Sequence, residues 1–176
     1  MTVAGRSGGT WFKCQSKTRA WEQGMKQLPE RFGRVLELLE NLDPADRVQM
    51  LVDTARTFRS VPASVAEKPY PVENRVPGCE SEAYVWAQPG ASGTLNYYFA
   101  VENPQGISAM TLAAILADSL SGVPLEDVAA IPADVVFRIF GRELSMGKSL
   151  GLMGLVNMVR AEANRHLLAS RAENSS

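Results

Sequence analysis

Apolar residues recur at 28, 32, 35, 36, 39 and 42, the spacing of one helical face, so the first clear pattern in the chain is an amphipathic helix. Asp43-Pro44 punctuates it, Asp43 as a natural N-cap and Pro44 suited to the first helical position. Val48, Leu51, Val52, Ala55 and Phe58 then lay out the buried stripe of a second helix, and the pair reads as a hairpin. Residues 60–74 hold Pro62, Pro69 and Pro71 and read as an ordered irregular connection. Residues 83–87 alternate, with Tyr84 and Trp86 on one face, and 94–101 form a second β-rich run beyond the turn Pro89-Gly90-Ala91-Ser92-Gly93; together they predict an antiparallel hairpin. Residues 107–120 are apolar almost all round, the mark of a central helix, which Gly122 and Pro124 stop. Pro132 opens a short helix through Phe140 that Gly141 closes. A terminal helix from Ser149 to about Ala169 carries apolar positions 152, 155, 156, 159, 163 and 167. The expected fold is α+β, a small antiparallel sheet packed against several helices in a single domain.

The chain has 176 residues, 45% of them hydrophobic, enough for one well-cored unit and too few for two. The pattern places that domain at 27–170, an extension at 1–26 and a flexible end at 171–176. Eighteen basic residues against nineteen acidic give a net charge of −1, which argues against a nucleic-acid surface and points to protein partners. No apolar run is as long as a membrane span and nothing resembles a secretory signal, so the expectation is a soluble protein of the cytoplasm. Residues 1–21 carry Arg6, Lys13, Lys17 and Arg19 without an acidic residue. That composition fits a disordered extension, a transit segment such as a plastid one, or an over-long start. Trp11, Phe12 and Trp21 have the composition to pack on the body.

Two cysteines occur, Cys14 and Cys79, far apart and in segments of different character, so no disulfide framework is expected. An iron–sulfur scaffold needs about three cysteine ligands and a zinc site a comparable Cys/His cluster, neither of which this chain supplies alone. No bound cofactor or metal is expected. Cys79 stands out by its setting, Arg75-Val76-Pro77-Gly78-Cys79-Glu80-Ser81-Glu82, directly before the first strand. Pro77 fixes its own φ and biases Val76 to extended geometry, while Gly78 allows the left-handed backbone of a sharp turn. The thiol is expected at a loop apex, whereas Cys14 has no turn geometry around it.

Val76-Pro77-Gly78-Cys79-Glu80-Ser81 followed by Tyr84-Val85-Trp86 resembles the SufE family of sulfur acceptors, and the resemblance extends through the order of elements from roughly 28 to 168. It implies that Cys79 accepts sulfur as a persulfide from a pyridoxal-phosphate cysteine desulfurase of the SufS type. Sulfur would then pass to an iron–sulfur scaffold of the SufB type, the cofactor belonging to the partner. It also implies that the protein stimulates the desulfurase instead of acting as a stand-alone enzyme, and that its sulfur is sheltered in an apolar hollow until docking. Val76, Pro77, Tyr84, Trp86 and the helix from Ile107 are the candidate lining, although each aromatic also has the plainer reading of core packing.

The supporting residues carried by the resemblance are Gly78, Glu80, Ser81, Arg75 and Lys148. The family commonly has Gln where this chain has Glu80, and Ser-Arg where it reads Met146-Gly147-Lys148-Ser149. A carboxylate beside the thiol disfavours the thiolate, so Lys148 or Arg75 is expected to offset Glu80, Lys148 with the charge of an arginine but without its planar fork. Gly147-Lys148-Ser149 is not the end of a phosphate-binding loop, because position 142, where that motif needs Gly, is Arg142. Gly147, Gly151 and Gly154 read instead as close helix packing.

Two other function classes compete. A thiol peroxidase or transferase would use Cys79 with an arginine, but there is no resolving cysteine near it and the only histidine is His166. A non-catalytic adaptor would use the loop alone, with Cys79 structural.

Overall fold

The structure, a computed structural model, describes residues 28–173. The expectations for 1–26, including Cys14 and the aromatic residues there, lie outside the described residues, as do 174–176. The described part is α+β: six α-helices and one two-stranded antiparallel sheet.

Helix α1 (Glu30–Asn41) buries Phe32, Leu36 and Leu39, the face its spacing predicts. Asp43 starts α2 (Pro44–Thr57), its Oδ1 accepting from the amides of Ala45 at 2.9 Å and Asp46 at 3.0 Å. Those amides, Asp46 first, hold the pKa of its carboxyl below the ordinary range. The α2 stripe is less buried than expected: Leu51, Val52, Ala55 and Phe58 are only half-buried, and at one place the stripe turns outward. Val48 is 60% exposed, and Arg47 occupies the inward position instead, donating from Nε to Ile139 O at 3.0 Å and from Nη2 to Arg138 O. A guanidinium that satisfies two helix-end carbonyls outcompetes one valine for that face.

Strands β1 (Ala83–Pro89) and β2 (Leu95–Val101) pair in the register Ala83↔Val101, Val85↔Phe99, Trp86↔Tyr98 and Pro89↔Leu95. One face, with Val85, Leu95, Tyr97 and Phe99, closes on the helical core; the other, with Tyr84, Trp86 and Ala100, is covered by Val61 and Tyr70 from the irregular segment before it. Helix α3 (Ile107–Leu120) is central, with Leu112, Leu116 and Leu120 completely buried. Two short helices follow, α4 (Leu125–Ala129), which sequence reading did not resolve, and α5 (Val135–Phe140). Gly141 closes α5 with φ +85°.

Helix α6 (Met146–Glu173) begins three residues before Ser149 and continues to Glu173, into the stretch expected to be a flexible end. Ser145 supports its first turn, its Oγ accepting from Lys148 N at 3.4 Å and its carbonyl from Ser149 N at 2.9 Å. Glycines at 147, 151 and 154 mask this start in the sequence, since glycine is a poor helix former. The inward face of α6, with Leu152, Leu155, Val156, Val159 and Ala163, is the one expected.

Candidate functional site

The cysteine loop is a pair of consecutive tight turns. Cys79 N donates to Val76 O at 3.3 Å around Pro77 and Gly78, and Glu82 N donates to Cys79 O at 3.1 Å. Gly78 has φ +67°, the left-handed position such a turn needs after proline. The base of the loop is closed by Val76 N donating to Ala83 O at 2.8 Å, and its far side by Asn103 N donating to Ser81 O at 3.2 Å. Between these anchors, among the described residues, no hydrogen bond ties 77–80 to another element. The turn is therefore fixed at both feet and free at its crown.

Its underside rests on α6. A Cβ at Gly147 would stand 3.1 Å from Glu80 Oε1, one at Gly151 3.2 Å from Cys79 Cα and 3.4 Å from Sγ, and one at Gly154 2.9 Å from Val76 Cγ1. Spacings of four and three residues put all three glycines on one helical face. The close packing anticipated for them is real, but their partner is the cysteine loop. Cys79 is held down by this seat and is 8% exposed, while Pro77, Gly78 and Glu80 around it are exposed.

Two hollows meet at the sulfur. One, of about 360 Å³, lies between the first turns of α3 and α6 and is lined by Cys79, Glu80, Ser81, Asn103, Ser108 and Lys148, among others. The second, of about 510 Å³, is bounded by Val72, Arg75, Val76, Pro77 and Gly78. Val72, Ile107, Met146 and Leu150, large apolar side chains exposed to solvent, rim the two hollows or flank the glycine seat.

The charges are distributed differently from the expectation. Arg75 makes its ion pair with Glu82, not with Glu80: its Nη2 meets Glu82 Oε1 at 3.1 Å, and its backbone bridges to Tyr84. Glu80 instead lies over the start of α6, where the positive end of the helix dipole faces its carboxylate. Lys148 lines the same hollow as Glu80 and Cys79, without an ion pair among the described residues. Tyr84 and Trp86 do not line the sulfur's surroundings. Strand alternation sends them to the opposite face of the sheet, where they stack on each other at 6.0 Å and pack against Tyr70. Val76, Pro77 and Ile107 do line the hollows. His166 is remote: it lies 15 positions beyond Gly151 on α6, roughly 22 Å along the axis.

The family model described as "SufE: Fe-S metabolism associated domain" matches residues 34–163. The chain belongs to the SufE family. A solution structure of a hypothetical protein from Thermus thermophilus has the same fold, with a TM-score of 0.63 and 22% identity over 80% of this chain and 98% of that one. No curated protein matches the sequence. The SufE family membership places the chain in iron–sulfur metabolism. Among the described residues no helix is long and apolar enough to cross a membrane.

The first turn of α3 forms one wall, as expected of the helix from Ile107, but two other parts of the site escaped sequence reading: the connection 103–106, which continues that wall, and the glycine face of α6, which forms the floor. The spacing of the glycines signalled the floor; nothing local signalled what rests on it.

Proposed function

We propose that the protein is a persulfide carrier acting through Cys79. It takes sulfur from a pyridoxal-phosphate cysteine desulfurase of the SufS type, speeds that enzyme by unloading it, and delivers the sulfur to an iron–sulfur scaffold of the SufB type. The observation that carries this reading is the setting of Cys79: a thiol sheltered on a turn that is anchored at its feet and unattached at its crown, beside exposed apolar side chains. A carrier needs both halves of that description. Burial keeps a persulfide from adventitious thiols and oxidants, and a free crown lets the sulfur swing out when a partner supplies the second wall.

The chemistry requires one nucleophile. The Cys79 thiolate attacks the terminal sulfur of the donor's persulfide, a new S–S bond forms on Cys79, and the donor's S–S bond breaks with its thiolate leaving. The transfer is redox-balanced and needs no base in the protein, which agrees with the remoteness of His166. Val72, Ile107, Met146 and Leu150 supply apolar area for docking.

Incubation with a cysteine desulfurase and cysteine, followed by mass spectrometry, tests the reading. A gain of about 32 mass units, one sulfur atom, is expected on Cys79. The Cys79→Ser variant should stay folded, acquire nothing there and no longer stimulate the desulfurase. Undiminished stimulation by that variant would favour an adaptor, and peroxide consumption without any desulfurase would favour a thiol peroxidase.

A further inference from the structure

The outer edge of β2 is capped on both sides of a gap. Gly122 N donates to Leu95 O at 2.9 Å, Tyr97 N donates to Ser121 Oγ at 3.1 Å, and Val61 N donates to Phe99 O at 2.7 Å. Antiparallel alternation turns these odd-numbered residues away from β1. Tyr97 O and Phe99 N are therefore directed outward, and neither has a partner among the described residues. The gap borders a groove of about 520 Å³ between residues 57–62 and α3. Phe58, Tyr97 and Phe99 line it from one side; Ala113, Ala114 and Ala117 line it from the other, with side chains too short to fill it. Asp118 and Arg59 stand on its rim, exposed and without an ion pair among the described residues. The groove shares no residue with either hollow at Cys79.

We propose that this groove receives the segment that precedes Leu28 in the same chain, with Trp21 seated on the three alanines and the backbone beside it closing the β2 gap. The segment enters at the right place: Arg31, in the first turn of α1, donates from Nη1 to Asp118 O at 3.3 Å, and Asp118 lines the groove. Trp21 precedes Leu28 by seven positions, a reach of up to about 24 Å in extended chain. An indole brings the large apolar surface that the alanines leave uncovered, and its N–H can stay at the open side. Arg19 and Glu22 flank Trp21 with charges complementary to Asp118 and Arg59. A single residue running parallel to β2 opposite Tyr98 makes both missing bonds, its N–H donating to Tyr97 O and its carbonyl accepting from Phe99 N. The docked segment thereby protects a bare strand edge that would otherwise be a template for pairing with another chain.

Amide hydrogen exchange followed by NMR on the full chain tests the docking. The Tyr98 amide, in the ladder opposite Trp86, is the internal reference. The Phe99 amide is expected to exchange about tenfold more slowly in the unaltered protein than in Trp21→Ser, with Tyr98 alike in both, and Trp21→Phe should recover part of the protection. Ala114→Leu, which fills the groove from α3, should speed exchange at Phe99 and shift the indole N–H signal of Trp21 while leaving those of Trp11 and Trp86 in place. Equal exchange at Phe99 with and without Trp21 would overturn the proposal. So would a rise at Phe99 and Tyr98 together, which is general loosening. Protection that grows with protein concentration would also overturn it, by making the occupant a second copy of the chain.

Discussion

Gly151 lies directly beneath Cys79, so close that a Cβ added to the glycine would stand 3.2 Å from the cysteine Cα and 3.4 Å from its sulfur. Contact at that range requires the loop to rise by a few tenths of an ångström, and the loop can do so because its crown has no outside hydrogen bonds. Gly151→Ala should therefore change stability little, since about 1 kcal/mol of improved helix propensity offsets the strain. The effect should appear at the sulfur instead. We expect Cys79 to alkylate several-fold faster in Gly151→Ala than in the unaltered protein, measured with iodoacetamide under native conditions; an unchanged rate would mean that the glycine does not hold the thiol down.

Gly78 separates conformation from contact. Its φ is +67°, yet a Cβ there would meet nothing within 4 Å. Gly78→Ala is expected to cost about 1–2 kcal/mol through the left-handed backbone alone, read as a lower midpoint in urea. Gly78→Asn should recover part of that cost, because asparagine tolerates the same conformation.

These relationships show where sequence reading succeeds and where it stops. Helix α1 and the hairpin were legible because their periodicity is local, and Cys79 was legible because Pro77 and Gly78 announce a turn beside it. The faces were another matter. Alternation correctly put Tyr84 and Trp86 together, but which side of a two-stranded sheet meets the helices is decided by distant packing, and it sent them away from the sulfur. Val48 fits an apolar stripe until Arg47 finds two carbonyls across α5, more than 90 positions later. The same holds for Gly147, Gly151 and Gly154, whose spacing declares a close contact while its partner lies in a loop far earlier in the chain.

Glu80 is the nearest carboxylate in sequence to the sulfur and shares its hollow. Removing that charge should make the site more welcoming to anions in particular. In Glu80→Gln, the ratio of Cys79 reaction rates with an anionic aromatic disulfide and with a neutral alkylating reagent should rise about two- to threefold at low salt, and fall back as salt screens the field. An unaltered ratio would show that the carboxylate is too well neutralised by the start of α6 to influence what approaches the thiol.

Glu40 and Arg138 tie α1 to α5 through a two-pronged pair, Nε to Oε1 at 2.5 Å and Nη2 to Oε2 at 3.0 Å. The hydrogen bonds from Arg138, ahead of its charge, hold the Glu40 carboxyl below its ordinary value of 4.5. A carboxyl depressed by folding contributes stability that is fully present above its unfolded value and is lost as pH falls through the folded one. Both side chains are partly open to water, 27% for Arg138 and 40% for Glu40, so screening limits the contribution to about 1 kcal/mol or less. Glu40→Gln should therefore lower the urea midpoint at pH 7, and the gap between variant and unaltered protein should close as the pH is brought from 6 towards 3. A gap that stayed constant across that range would show that the pair acts by packing and not by charge.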